Sequence, residues 1–288
     1  MVNLYDDIQV RPDVSRLITT KGLVFAYYIC PQVATLKQMY TSESFFIYAV
    51  SGRKIFHSSG KSFELLPGMS AFVRKGCYVL ERFPDDFRLM VMLFPVRYIN
   101  QVIQEIRPQL PTTTARGNQP IDLVTEFETN SSLQACYDSL LPYFTQSPAA
   151  SEYLLELKFK EFIINVLLNP RNIKILGYLN QLSEDYRPLL QEVMENNYMY
   201  NLSLDDYAKL SCRSLASFKR EFNELLSISP GKWIIHKKLD YSKMLLSSTK
   251  KSIGDIAFES GFENDSHFSR AFKDKFQYSP LVYRKNIM

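Results

Sequence analysis

Arg220 and Arg270 are the residues of this chain best suited to recognition chemistry, because the same setting surrounds both. Phe218 and Phe268, Arg220 and Arg270, Phe222 and Phe272, and Ser229-Pro230 and Ser279-Pro280 lie fifty positions apart. Upstream the offset is forty-nine, Ala208 with Ala257 and Ser211 with Ser260, so one residue has been gained or lost inside an internal repeat. A guanidinium fork matches O6 and N7 of guanine in the major groove, a contact worth about 1–3 kcal/mol of discrimination. The competing reading is a surface arginine paired with Glu221, Glu224 or Asp274, or with a phosphate. Lys219 and His267 could meet bases or phosphates. Asn264, Asp265 and Ser266 open a helix, where capping of its free N–H groups competes with base reading. Lys237, Lys238, Lys250, Lys251 and Lys273 suit phosphate contact or solvated charge better than sequence reading.

The elements that would carry these groups follow from spacing. In residues 252–285, Ile253, Ile256 and Ala257 recur as one buried helical face. Gly261 permits the positive φ of a tight turn. Asp265 or Ser266 can cap the next helix, whose apolar stripe is Phe268, Phe272 and Phe276, and Pro280 stops it. His267, Arg270 and Lys273 fall on the opposite face. This is the layout of a helix-turn-helix reader of DNA. The first copy repeats it, with Cys212 where the second has Gly261. Pro230 to Ser247 reads as one helix between the copies, its apolar face Trp233, Ile234, Leu239, Met244, Leu245 and Leu246. At ~1.5 Å per residue it spans about 27 Å, a spacer that can set two reading helices roughly one DNA turn apart. The phenylalanine stripes are core, since their spacing puts them on the buried side.

The front of the chain is different. Residues 1–21 read as a polar lead-in. Between residues 22 and 95, GLVFAYYIC, VATLKQMY, SFFIYAV, RKIFHSS, KSFELL, SAFVRKG, YVLERF and FRLMVMLF are short runs rich in β-branched and aromatic residues, separated by turn formers. They suggest an antiparallel barrel or sandwich. Helical spacing returns at 98–106, from Leu133 to near Pro142, at about 150–168 with Leu154 and Leu157 among its apolar residues, and at 172–182. Residues 108–120 read as a loop. Ser183-Glu184-Asp185 marks a boundary, and a helix at about 187–198 precedes the first repeat.

Charge is divided unevenly. Residues 1–185 hold 18 basic and 18 acidic groups, whereas residues 186–288 hold 16 and 12, which accounts for the whole net charge of +4. The surplus lies on the repeat, as a polyanionic partner requires. With 46% hydrophobic and 22% charged residues, and with no apolar run near the ~20 residues of a membrane span, the composition is that of a soluble globular chain. The acidic opening MVNLYDDIQV lacks a signal pattern, so a cytoplasmic location is expected. Cys30, Cys77, Cys136 and Cys212 form no CxxC pair and read as reduced thiols. The chain has three histidines, and only His57 lies in the strand region, too few donors for a metal site. GxSxG, Walker and GxGxxG patterns are lacking. The expectation is a protein that is not an enzyme and needs no cofactor.

SIGDIAFESGFENDSHFSRAFKDKFQYSP carries I-x-D-I-A-x-x-x-G-F, then S-x-F-S-R-x-F-K, then F-x-x-S-P. In these residues the chain resembles the AraC/XylS family of bacterial transcription regulators, over about residues 190–285. The front half is similar to that family's cupin-like arm and barrel, and FELLPGMSAFVRKGCYVLERF resembles the barrel of ExsA-type activators. The resemblance implies an α+β multidomain chain. Its N-terminal cupin-like β-barrel with following helices, over 1–185, would sense a small-molecule effector or dimerise; alternatively it would be an interaction module controlled by a regulatory partner protein. A C-terminal all-α DNA-binding domain over 186–288 would hold two helix-turn-helix units, about 203–228 and 252–277, joined by the helix at 230–247. Helices near 214–226 and 265–276 would enter successive major grooves. Carried over to this chain, the outward positions include Ser217, Lys219, Arg220 and Asn223, then Asn264, Ser266, His267 and Arg270, with Lys273 toward the backbone. The implied partners are double-stranded DNA, RNA polymerase and a second copy of the chain, and the implied role is activation.

Overall fold

A computed structural model describes all residues except 1, 11–14, 31–34, 59, 85, 112–120, 146–150, 183–186 and 288. The polar boundary at 183–185 and most of the loop at 108–120 therefore lie outside the described residues. The chain divides into two units, Met1–Tyr186 and Arg187–Met288.

The first unit opens with strand β1 (Val2–Asn3) and helix α1 (Leu4–Val10). Strands β2 (Ser15–Thr20), β3 (Leu23–Ile29), β4 (Thr35–Thr41), β5 (Phe45–Ser51) and β6 (Lys54–Ser58) come next. They are followed by β7 (Lys61–Leu65), β8 (Ser70–Val73), β9 (Gly76–Arg82) and β10 (Arg88–Leu93). Helix α2 (Val96–Ile106), strand β11 (Val124–Phe127) and helices α3 (Ser131–Thr145), α4 (Glu152–Leu168) and α5 (Ile173–Leu179) complete the unit. The strands form two sheets, ordered β1-β4-β9-β6-β7 and β11-β8-β5-β10-β3-β2. The expected barrel thus takes the form of two facing sheets whose hydrogen bonding does not close into one cylinder.

Alternate residues of the six-stranded sheet point to opposite sides. Val24, Ala26, Ile47 and Val91 meet Met39, Phe56, Tyr78 and Leu80 of the other sheet. Phe25, Phe46, Phe72 and Met92 meet Ile99, Tyr137, Phe159 and Phe162 of the helices. Burial of both faces explains why β3, β5 and β10 read as unbroken apolar runs and not as alternation. The segment read as a polar lead-in instead folds as β1, α1 and β2. Ile8 is buried in the core between the sheets, and Asp7 is held by Lys37 at 2.9 Å. Helix α3 runs past Pro142 to Thr145; the proline sits in its last turn, so the i−4 bond its own N–H would have made is lost close to the helix end. Leu154 and Leu157, read as part of the apolar side of α4, are exposed, Leu157 by 62%.

The second unit is helical throughout: α6 (Leu190–Asn197), α7 (Leu204–Leu210), α8 (Leu215–Leu226), α9 (Pro230–Ser248), α10 (Ile253–Glu259), α11 (Asp265–Phe276) and α12 (Pro280–Ile287). Side-chain caps start four of them. Ser203, Ser214, Ser252 and Asn264 accept from the N–H groups of Asp206, Ser217, Asp255 and His267. The cap of α11 is thus Asn264, the first of the three candidates Asn264, Asp265 and Ser266. Pro280 does not simply end the pattern; it occupies the first turn of α12 as Pro230 does in α9, where no N–H is needed. The repeat also preserves backbone shape. Cys212 and Gly261 have φ of 55° and 81°, and the helix-ending residues Ser227 and Gln277 have φ of 53° and 67°.

Helix α9 serves two cores. Near its start Trp233 packs edge-on against Phe222, ring centroids 5.9 Å apart, and against Tyr198. Farther on, Leu239, Leu245 and Leu246 join Ile256, Ala257, Phe268 and Phe272. Met244, read as core, is 53% exposed, and the buried stripe instead passes through Lys238 and Ser242.

Two expectations follow for stability. Phe272→Ala should lose roughly 3–5 kcal/mol in urea unfolding, because it empties the centre of the second core. Gly261→Ala should cost more than about 1 kcal/mol, since its φ is left-handed and the new Cβ would stand 2.7 Å from the Met199 carbonyl oxygen. Cys212→Gly at the equivalent turn should stay within about 1 kcal/mol of the parent, relief of left-handed strain opposing the greater freedom of the unfolded chain.

Candidate nucleic-acid interface

Burying one face of a helix determines which side chains face out. In α8, Phe218 and Phe222 are fully enclosed, and in α11 so are Phe268 and Phe272. The positions between them face solvent. Lys219, Arg220 and Asn223 are exposed on α8, with Ser217 half-buried beside its cap, Ser214. Ser266, His267, Arg270 and Lys273 are exposed on α11. Asn264 is exposed too, but its side-chain oxygen accepts from the His267 N–H at 2.7 Å, so its acceptor is committed to the helix start. The His267 ring rests on Phe262, centroids 5.6 Å apart, which fixes its position at the front of the helix. The Asp265 carboxylate lies against Gly254 of α10.

Charge pairing separates these residues from several basic neighbours. Elsewhere in the unit Lys209 pairs with Asp205, Arg213 with Glu221, Lys237 with Glu195, Lys251 with Glu259 and Lys275 with Asp240. Among the described residues, Lys219, Arg220, Arg270 and Lys273 make no ion pair. Glu221, one expected partner of Arg220, is taken by Arg213 at 2.8 Å, whose hydrogen bond holds the carboxyl below the ordinary range. Four cations are thus held out on two equivalent helices with their donors free, as binding of a phosphate-rich, groove-bearing surface requires.

Lys238 departs from the sequence reading. It is 7% exposed, and its Nζ donates to Asn201 Oδ1 and to the Gly261 carbonyl, both at 2.8 Å. Burial lowers its ammonium pKa to about 8. It is a junction inside the unit and not a solvated charge. Its signal was a place in the stripe Ile235, Leu239, Ser242, Leu245 and Leu246, at a spacing that puts it among them.

In the first unit, a cavity of about 20 Å³ lies between the sheets. Leu4, Phe45 and Phe56 line it together with Lys54 and Arg82. Lys54 lies 4.2 Å above the Phe87 ring, and burial brings its pKa down to about 8. Arg82 reaches Tyr28 at 3.4 Å, while its Nε is buried without a hydrogen-bond partner among the described residues. Neither cation stood out in the sequence. His57 joins Glu81 and Ser62 at 2.8 Å each, and among the described residues no cluster of three or more potential metal ligands forms. No helix among the described residues is long and apolar enough to cross a membrane.

Comparison with known proteins agrees with this geometry. Residues 44–178 match the ExsA N-terminal regulatory domain, and residues 207–286 match a helix-turn-helix domain family. The chain is 27% identical to the HTH-type transcriptional regulator ExsA of Pseudomonas aeruginosa over 224 residues, covering 78% of this chain and 80% of that protein. It is 25% identical to the thermoregulatory protein LcrF of Yersinia pestis over 236 residues, 82% of this chain and 86% of that one. Among solved structures, apo ToxT from Vibrio cholerae aligns over 94% of this chain and 99% of its own, with 12% identity and a TM-score of 0.41. The matched families are those of regulators and not of enzymes. With an ExsA-type regulatory domain in front of a paired helix-turn-helix unit, the chain belongs to the AraC/XylS family of DNA-binding transcriptional regulators.

Proposed function

We propose that the chain activates transcription by placing α8 and α11 in successive major grooves of one composite site on double-stranded DNA. The observation that carries this reading is the equivalence of Arg220 and Arg270: same repeat position, both exposed, neither in an ion pair among the described residues. In this reading each guanidinium reads a guanine, Lys219 and His267 contact bases or nearby phosphates, and Lys273 contacts the backbone. Ser217, Asn223 and Ser266 supply further hydrogen bonds, and Asn264 contributes through its amide N–H groups. Contact with RNA polymerase would then convert occupancy into activation.

For residues 1–185, control by a protein contact is favoured over a small-molecule effector. The cavity described between the sheets, about 20 Å³, is room for a water or two. Tyr153, Leu154 and Leu157 meanwhile leave an apolar surface on α4 for a regulatory protein or a second copy.

Arg220→Ala and Arg270→Ala should each weaken binding to a selected operator by about tenfold or more and relax preference at one guanine. Lys273→Ala should weaken all sequences alike and reduce the salt dependence by roughly one counterion. Folded arginine variants with full affinity and unchanged preference would remove the base-reading assignment. Thermal shift of the full chain against small metabolites should show no specific rise in melting temperature; a specific rise would restore the effector reading.

A further inference from the structure

We propose that Lys238 locks the two reading helices at one separation and angle, so that it sets which spacing between half-sites the protein accepts. The inference rests on the two-groove reading above. Each helix pair grips a different part of α9: the first through Trp233 on Phe222, the second through Leu239, Leu245 and Leu246. Gripping one rod at two places leaves each pair free to rock about its own contact. A direct tie between the pairs removes that freedom, and Lys238 supplies one. Its ammonium bonds Asn201, three residues ahead of α7, and the carbonyl of Gly261, in the turn between α10 and α11. Asn201 in turn donates to Glu263 at 3.2 Å. Gly261 closes the junction from the other side, because any Cβ there would strike the Met199 carbonyl oxygen and the Lys238 side chain. Three segments distant in sequence therefore meet on one ammonium group. A lysine that served packing alone would not need one partner from the segment leading into the first helix pair and the other from the turn inside the second. Lys238 is a positioning residue: it is buried, so it reaches the site on DNA only through the helices it holds.

The test uses the full chain and three duplexes: a site selected with the wild-type protein, and the same site with one base pair added or removed between its halves. Wild type should bind both altered duplexes at least about tenfold more weakly, since one base pair displaces and rotates one half-site relative to the other. Lys238→Met should lose about tenfold on the selected site, the usual scale for a charged hydrogen bond, and its ratio between spacings should fall toward one. Asn201→Ala, whose side chain is exposed and whose fold is not at risk, should shift the ratio the same way by a smaller factor and carries the test if Lys238→Met does not fold. Folded variants that keep the wild-type ratio, or that weaken on all three duplexes equally, overturn the lock. A wild type indifferent to spacing would overturn the two-groove reading itself, and the lock with it; a discriminating wild type beside equally discriminating variants overturns the lock alone.

Discussion

Burial of two phenylalanines one turn apart, Phe218 with Phe222 and Phe268 with Phe272, is the constraint on which the second unit depends. Once those side chains are committed to the core, a period of 3.6 residues leaves no choice about which neighbours face out. Lys219, Arg220, Arg270 and Lys273 are presented because of what lies behind them. The caps add direction. Ser214 and Asn264 fix where each helix begins, so the outward residues of the two copies stand at matching heights above their cores. The outward face in this unit is a consequence of packing: the core decides the face, and the face is then free to differ between copies, with Asn223 in one and Lys273 in the other at equivalent positions.

The first unit obeys another rule. Its six-stranded sheet is covered by a second sheet on one side and by helices on the other, so β3, β5 and β10 contribute apolar groups in both directions. Aromatic packing is dense on the helical side, where Phe46 contacts Phe72, Phe94, Phe127 and Phe162. Between the sheets, rings such as Phe45, Phe56 and Tyr78 leave little space. The cavity described between the sheets is correspondingly small.

Local pattern was legible in the sequence and tertiary context was not. The strands from β3 to β10, the helix pairs and the spacer helix follow from periodicity and turn residues, which act over a few positions. The left-handed turn at Gly261 was readable from residue type; the same conformation at Cys212 was readable only through the repeat. The exposed candidates were legible because a helix with one aromatic stripe has one opposite face. What failed depended on partners far along the chain. The segment before residue 21 is polar on average, yet Ile8 and Asp7 are buried because the sheets reach over them. Met244 reads as core by type and Lys238 as surface by charge, and the structure exchanges them, since side-chain burial on α9 is decided by where the two helix pairs touch it. The pairings of Lys237 with Glu195 and Lys275 with Asp240 likewise join residues that no local spacing connects.

That exchange bears on why a lysine stands at position 238 at all. Enclosing an ammonium group is unfavourable, and the fall of its pKa to about 8 records the cost of removing it from water. The sign follows from linkage. The unfolded lysine keeps its ordinary pKa of 10.5, so from about pH 8 up to that value the unfolded chain binds more protons. The desolvation penalty is therefore fully present below about pH 8 and fades as pH rises through that window. A methionine of similar length would avoid the penalty, but it would leave the Gly261 carbonyl and the Asn201 side chain without their donor. Buried ionic groups of this kind are weak sources of stability, and their best-attested return is a single defined arrangement of the parts they join. On the proposed two-groove reading the arrangement of the two reading helices is what that cost secures, through the two 2.8 Å bonds of one ammonium group.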